Sequence, residues 1–281
     1  MREADLKLLL DAGEAAGEIA KRYFKADPEV WDKGGGQGPV TEADLEIDRM
    51  LKSELLAARP DYGWLSEETE DGTARLEAER VFIVDPIDGT RAFINIDGTR
   101  AFINGEPSFS HALAIVERGE VVAAVVHVPM KSLSYAATLG GGAQCNGVAL
   151  QVSGQAEMAG ATVLTRKPDL KREHWLAPHG MKHNFRPSLA YRLCLVAQGR
   201  FDVMLTLRPA WEWDVAAGDL IIREAGGHVK TTAGAPTRYN NPHPQLAGMV
   251  AGPVKLVENI IKGLQPAAKR PIAGLIIPKG D

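Results

Sequence analysis

A chain of 281 residues, 45% hydrophobic and 24% charged, is long enough for a buried core and too apolar for a disordered or fibrous protein. Its formal net charge of −4 offers no broad attraction to nucleic acid polymers or anionic membranes, and no stretch approaches the ~20 apolar residues that cross a bilayer. Cys145 and Cys194 form neither a CxxC pair nor a zinc-type spacing with histidine, and the opening MREADLKLLLDAGE is unlike a secretory leader, so a cytoplasmic protein is expected.

In chain order, Leu8, Ala12, Ala15, Ile19 and Tyr23 recur at helical steps and predict a first helix with that face inward. After a glycine-rich loop, GGGQG at 34–38, Thr41 opens a second helix through Leu45, Met50, Leu51 and Leu55, which Pro60 stops. VFIVD at 81–85 reads as a strand that runs into IDGTRAFINIDGTRAFIN at 87–104, a nine-residue phrase stated twice without change. From Ser108 to Gly147 short apolar runs alternate with turn-forming pieces, as in an antiparallel meander. Past about residue 155 the helix-like SLAYRLCLVAQG and DVAAGDLIIREAGG alternate with the short strands FDVMLTL and HVKTT. Two layered α/β units are expected, an N-terminal one over 1–155 and a C-terminal one over 156–265, followed by an irregular tail at 266–281.

Candidate chemistry gathers at Asp85-Pro86-Ile87-Asp88-Gly89-Thr90. On an unbroken strand, side chains three apart point to opposite faces, so Pro86 and Gly89 are read as a turn that brings both acids to one point. Carboxylates forced together repel unless a cation lies between them, and hard oxygen ligands suit Mg²⁺. Gly89 and Thr90 would open a helix whose free N–H groups form a seat for phosphate. The plainer alternative is an Asp turn capping a helix without metal. Ser66-Glu67-Glu68-Thr69 and Trp213-Asp214-Val215-Ala216-Ala217-Gly218 add acids, each of which also reads as a surface acid or an N-cap. The small residues after Asp214 suggest backbone brought close to something.

Glu67-Glu68, DPIDGT at 85–90, WDVAAG at 213–218 and EAGG at 224–227 together resemble the motifs of the inositol monophosphatase superfamily of Mg²⁺-dependent, often lithium-sensitive phosphatases, over roughly residues 5–265. The resemblance implies a layered αβαβα sandwich of the inositol monophosphatase and fructose-1,6-bisphosphatase type, an α/β or α+β fold, and a homodimer. It implies metal ligands Glu67, Asp85 as the bridge, the Ile87 carbonyl, Asp88 and Asp214, with two or three Mg²⁺ ions for which Mn²⁺ would substitute. It gives Asp44 and Thr90 the polarisation of the attacking water together with Glu67, and assigns Asp88, Gly89, Thr90, Arg166 and Asp214 to the substrate. Thr41-Glu42-Ala43-Asp44 also has the form of a capping box, and both roles for Asp44 are compatible. In such a site a metal-activated water displaces a leaving alkoxide in line, and no covalent phosphoenzyme is expected.

The first copy of the repeated phrase alone is preceded by Asp-Pro, which makes Asp88 the expected ligand and Asp97 the passenger. A rival arrangement keeps Asp85, loops out residues 87–95 and seats Asp97-Gly98-Thr99. The repeat itself is too short for a solenoid unit and fits a recent duplication, an engineered one or a sequence error.

Within the resemblance, Thr206 or Leu207 stands where inositol monophosphatases carry a glutamate that accepts from substrate hydroxyls, which weakens the polyol reading. Leu164-Thr165-Arg166-Lys167-Pro168-Asp169 partly matches the Ser-Arg-x-His-x-Asp run of bisphosphate nucleotidases, one residue shorter and without its histidine. Arg166, Lys167 and Arg192 are candidates for a second phosphate, or solvated surface cations. The first expectation is therefore a 3′(2′),5′-bisphosphate nucleotidase converting 3′-phosphoadenosine 5′-phosphate to AMP; the second is an inositol-1-monophosphatase. A third, of another class, is a dimeric scaffold impaired by the duplication. A small phosphorylated metabolite is the expected partner. His174, His179 and His183 are read as part of a loop, not a metal site, because Pro178 and Gly180 break any helix that would align them.

Overall fold

The computed structural model describes residues 2–24, 29–32, 39–93 and 108–266; the GGGQG loop, the second copy of the repeated phrase and the tail from residue 267 lie outside them. Helix α1 (Arg2–Tyr23) forms where the periodicity places it, but on a rotated face. Leu9, Ala12, Gly13, Ala16, Gly17, Ile19 and Ala20 are buried, while Leu8, Ala15 and Tyr23 flank the contact. A stripe of small residues lets the helix lie close to the sheet, which the larger Leu8 and Tyr23 would prevent. Helix α2 (Glu42–Ala58) starts at a complete capping box: the Thr41 hydroxyl accepts from the Asp44 N–H, and the Asp44 carboxylate accepts from the Thr41 N–H.

A hairpin, β1 (Val30–Asp32) and β2 (Pro39–Thr41), precedes α2. The main sheet then runs in chain order through β3 (Gly63–Ser66), β4 (Arg80–Asp88), β5 (Ser110–Glu117), β6 (Glu120–Val128), β7 (Leu133–Thr138), β8 (Gly142–Cys145) and β9 (Val148–Ala149). β3 and β4 are parallel and the remaining neighbours antiparallel, so the predicted meander is present. A one-turn helix, α3 (Thr90–Phe93), follows β4. A second sheet has the order β11-β10-β12-β16-β14, formed from β10 (Thr162–Leu164), β11 (Lys182–Asn184), β12 (Val203–Thr206), β14 (His228–Lys230) and β16 (Met249–Gly252). β13 (Ala210–Trp211) and β15 (Gln245–Leu246) make a short pair beside it.

Burial on both faces explains why β4, β5 and β6 are apolar almost throughout. Leu113 and Ile115 of β5 pack with Leu9 and Ile47 on the side of α1 and α2, whereas Ala112, Ala114 and Val116 pack on the other side with α4 (Leu189–Ala197) and α5 (Glu212–Glu224). Those two helices also meet the second sheet through Leu164, Met204 and Ala251, and α6 (Val254–Gly263) covers its outer face through Leu256, Val257 and Ile260. The result is an αβαβα stack. The small run after Asp214 has a packing reason: a Cβ on Gly218 would fall 2.4 Å from Leu193 Cδ1, so the glycine permits the close crossing of α4 and α5. Among the described residues, no helix is long and apolar enough to cross a membrane.

Candidate metal and phosphate site

Register decides how the acids of β4 meet. β4 and β5 pair from Arg80↔Glu117 to Asp85↔Ala112 and resume at Asp88↔Ser110, so Pro86 and Ile87 together face the single residue His111. This β-bulge adds one residue to the alternation, which returns Asp88 to the face of Asp85. The expected turn is thus a bulge in a strand that continues through Asp88. Proline suits it because a bulged residue needs no ladder N–H. The chain turns only at Gly89, whose φ of 99° lies in the region that disfavours side chains, and its carbonyl accepts from the N–H groups of Ala92 and Phe93 at 2.8 and 3.1 Å to start α3.

Asp85, Asp88 and Asp214 bring ligand oxygens within 4.8 Å of one another. Asp214 comes from the first turn of α5, where the Trp211 N–H donates to its carboxyl. Both oxygens of Asp85 are buried and, among the described residues, receive no donor apart from a proton that it can share with Asp214. Burial first, and then the charges of Glu67, Asp88 and Asp214, push the Asp85 carboxyl well above the usual carboxylate range. Asp214 is pushed up in the same way, by burial and then by Asp88 and Glu67. Burial raises Asp88 to about 6 in spite of its hydrogen bonds. A bare buried carboxylate among two others fits a hard divalent cation, which would reverse these shifts by supplying the missing opposite charge.

Asp88 is held quite differently. Its Oδ2 accepts from the Ser188 hydroxyl and the Ala190 N–H, both at 2.6 Å, and its Oδ1 accepts from the Leu189 N–H at 3.1 Å. The acid of β4 therefore docks on the N-terminus of α4, where free N–H groups and the helix dipole favour negative charge. Ser188 also caps α4 by accepting from the Tyr191 N–H at 2.9 Å, and its hydroxyl lies 2.9 Å from that of Ser110. Because the Ser188 proton goes to Asp88, Ser110 is the donor in that last contact.

Helix α2 supplies two further acids one turn apart. Asp44 Oδ1 lies 3.2 Å from the Thr90 hydroxyl while its Oδ2 serves the capping box, so the two expected roles of Asp44 are geometrically compatible. Thr90 Oγ1 is also 3.0 Å from the Ile87 carbonyl, and its single proton serves either partner. Asp48 accepts from Ser66 at 2.5 Å and from Thr69 at 2.7 Å, which fixes the segment carrying Glu67. The Glu67 N–H donates to the Val84 carbonyl at 3.3 Å, so the parallel pairing of β3 with β4 sets Glu67 beside Asp85, next to the three-acid cluster.

Two of the three basic candidates are otherwise engaged. Arg192 is buried; its guanidinium donates to the carbonyls of Arg186 at 2.5 Å and Pro187 at 3.3 Å and lies 4.4 Å from the Phe185 ring centroid, so it braces the segment before Ser188. Desolvation lowers its pKa to about 10. Arg166 pairs with Asp169 at 3.2 Å, and Lys167 is exposed. Of the three histidines expected in a loop, His183 stands instead on β11, where its ring meets the Thr165 carbonyl, while His179 meets the Leu170 carbonyl and lies against Trp175. Asp97 lies outside the described residues.

Sequence reasoning missed Ser110, His111 and Ser188. For Ser110 and His111 the signal was present as polar residues interrupting the apolar SFSHALAIV, and for Ser188 as a serine just before the helix-like run LAYRLCLVA. His111 is buried, and its Nδ1 meets the Pro86 carbonyl, an acceptor only, so Nδ1 carries the proton. Desolvation lowers the imidazole pKa to about 3, so the ring is neutral, and its buried Nε2 lone pair has no partner among the described residues. Such an orphan typically costs about 1–3 kcal/mol.

The profile of the inositol monophosphatase family matches residues 1–95 and 96–267, two stretches that meet at the junction of the duplicated phrase. An inositol-1-monophosphatase of Rhizobium meliloti is 33% identical over 285 residues, spanning 96% of this chain and 98% of its own. A fructose-1,6-bisphosphatase/inositol-1-monophosphatase of Thermotoga maritima is 36% identical over 223 residues, 78% of this chain and 81% of its own. The solved structure of a Thermotoga maritima IMPase is similar with a TM-score of 0.74 at 28% identity, covering 93% of this chain and 96% of that one.

Proposed function

The chain belongs to the inositol monophosphatase family, a family of Mg²⁺-dependent phosphatases, and on that premise we propose that it hydrolyses a polyol monophosphate of the inositol phosphate class with a metal-activated water. The observation that carries this reading is Asp85, whose two buried oxygens lack donors among the described residues and lie beside Asp88 and Asp214. Asp85, Asp88, Asp214 and Glu67, with the Ile87 carbonyl, would hold two or three Mg²⁺ ions. When bound there, Mg²⁺ would supply a water of lowered pKa and would offset the charge of the leaving alkoxide.

The protein's own groups do the rest. Thr90 Oγ1 accepts a proton from the attacking water as its own passes to Asp44 Oδ1, a relay supported by their 3.2 Å separation. The turn at Gly89 and Thr90 seats the phosphoryl oxygens on backbone N–H groups. Asp88, the first-copy acid, is the ligand in this reading. Lithium inhibition and a homodimer accompany it as expectations.

The substrate proposed here differs from the first expectation of the sequence. The names of the relatives favour the polyol, and the engagement of Arg166 and Arg192 removes two of the cations nominated for a second phosphate. One observation favours the nucleotidase as the second reading. Trp211 and Trp213, half-buried beside Asp214, stack at 4.7 Å with planes 8° apart and present a flat surface suited to a nucleobase. Phosphate release from inositol 1-phosphate and from 3′-phosphoadenosine 5′-phosphate, with and without Mg²⁺ and Li⁺, tests both. Faster Mg²⁺-dependent turnover of inositol 1-phosphate is expected; preference for the bisphosphate would transfer the assignment, and no turnover of either would favour the scaffold.

A further inference from the structure

We propose that His111 is a positioning residue for the metal site, holding the Pro86 carbonyl and thereby fixing the bulge that turns Asp85 and Asp88 onto one face. The inference rests on the reading that these acids hold a cation. Its starting point is the ladder: Pro86 and Ile87 share one opposite residue, and a bulge leaves polar backbone without a strand partner. Pro86 has no N–H to give, and its carbonyl is met by the imidazole of the very residue opposite. A side chain replaces the missing ladder bond at the one point of β4 that lies between two ligand acids.

The surroundings of His111 argue against a purely structural choice. It shares its face of β5 with Leu113 and Ile115, which belong to the apolar layer under α1 and α2. An aliphatic residue would satisfy that layer and leave no orphaned nitrogen, whereas His111 buries an unpartnered Nε2. What histidine adds there is a donor at Nδ1. The ring is also kept from turning: it stacks on its register partner His127, with centroids 6.1 Å and planes 13° apart, and His127 is fixed in turn by Ser134 at 2.8 Å. Ser110, the adjacent residue, faces the other side of the sheet and steadies Asp88 through Ser188. β5 therefore holds the two-acid bulge from both faces.

The test compares the parent protein with His111→Val, His111→Asn and Asp85→Asn by Mg²⁺ titration calorimetry and by melting without metal. His111→Val removes the donor and is expected to melt no lower than the parent while binding Mg²⁺ about 10–100-fold more weakly, the range for partners that orient metal ligands. Asn places an amide nitrogen where Nδ1 stands and is expected to restore most of the affinity. Mg²⁺ binding by His111→Val within about twofold of the parent, when such partners ordinarily matter tenfold or more, would overturn the proposal alone. Failure of that variant to fold would also overturn it, by making His111 a stability residue. If the parent binds no Mg²⁺, or Asp85→Asn binds it as the parent does, the reading of the acid site falls and this inference with it.

Discussion

Asp5 and Asp85 are each 1% exposed, yet their surroundings are opposite. Asp5, on α1, is ringed by donors: Arg59 at 2.8 Å, Arg80 at 3.3 Å and the Tyr62 hydroxyl at 3.4 Å. Asp85 has other acids around it in place of donors. Burial therefore does not separate a structural carboxylate from a candidate metal ligand in this molecule. The partners do: a buried charge with its countercharge in the fold is complete, and one without it is shaped for something the fold does not contain.

The contrast is broken most directly by removing each charge. Asp85→Asn is expected to lose more than the roughly 100-fold typical of supporting residues in Mg²⁺-dependent phosphate release, and to melt higher than the parent in EDTA because one source of repulsion is gone. Asp5→Asn should keep its turnover per folded molecule and lose stability in denaturant unfolding, near the lower end of the about 3–5 kcal/mol for breaking buried pairs, since Arg59 keeps some water. If the two variants respond alike, the distinction fails.

The duplicated phrase offers the next test. Asp88→Asn should reduce activity more than tenfold, the floor for residues that merely orient ligands, while Asp97→Asn stays near the parent. The reverse outcome would seat the second copy in the site.

The smallest effect is a pH dependence of melting. The folded-state pKa values of Asp85, Asp88 and Asp214 lie above the unfolded carboxylate value, so the unfolded chain binds fewer protons between the two. Their contribution to stability is then full below about pH 4 and is lost as pH rises, through about 6 for Asp88. On the proposed reading, Mg²⁺ would take the place of the lost protons. The Mg²⁺-induced rise in Tm should therefore grow from pH 5 to pH 7.5, each kcal/mol being worth about 2–4 °C. A constant increment across that range would mean that the cation does not meet these acids.

Much of the site is legible in the chain because its signals are local. The capping box of Thr41 and Asp44 spans four residues, and DPIDGT carries its two acids, its proline and its turn glycine within six positions. The inner face of α1 was misread because periodicity weighs apolar bulk, whereas close approach to the sheet selected Gly13, Ala16 and Gly17. Arg192 was misread for a related reason: its partners are the carbonyls of Arg186 and Pro187 and the ring of Phe185, and nothing in a single chain says that a cation will be spent on its own loop.

By itself the sequence determined which acids were available and which elements would carry them, since helix caps, strand runs and turn residues act over a few positions. Only the tertiary structure decided that Asp85 and Asp88 share a face, because that depends on pairing with a residue 25 positions away at His111. It also decided that Asp88 docks on α4, through Ser188, 100 positions away. Such contacts form only after strands and helices from distant parts of the chain have packed, and the local pattern of residues carries no record of them.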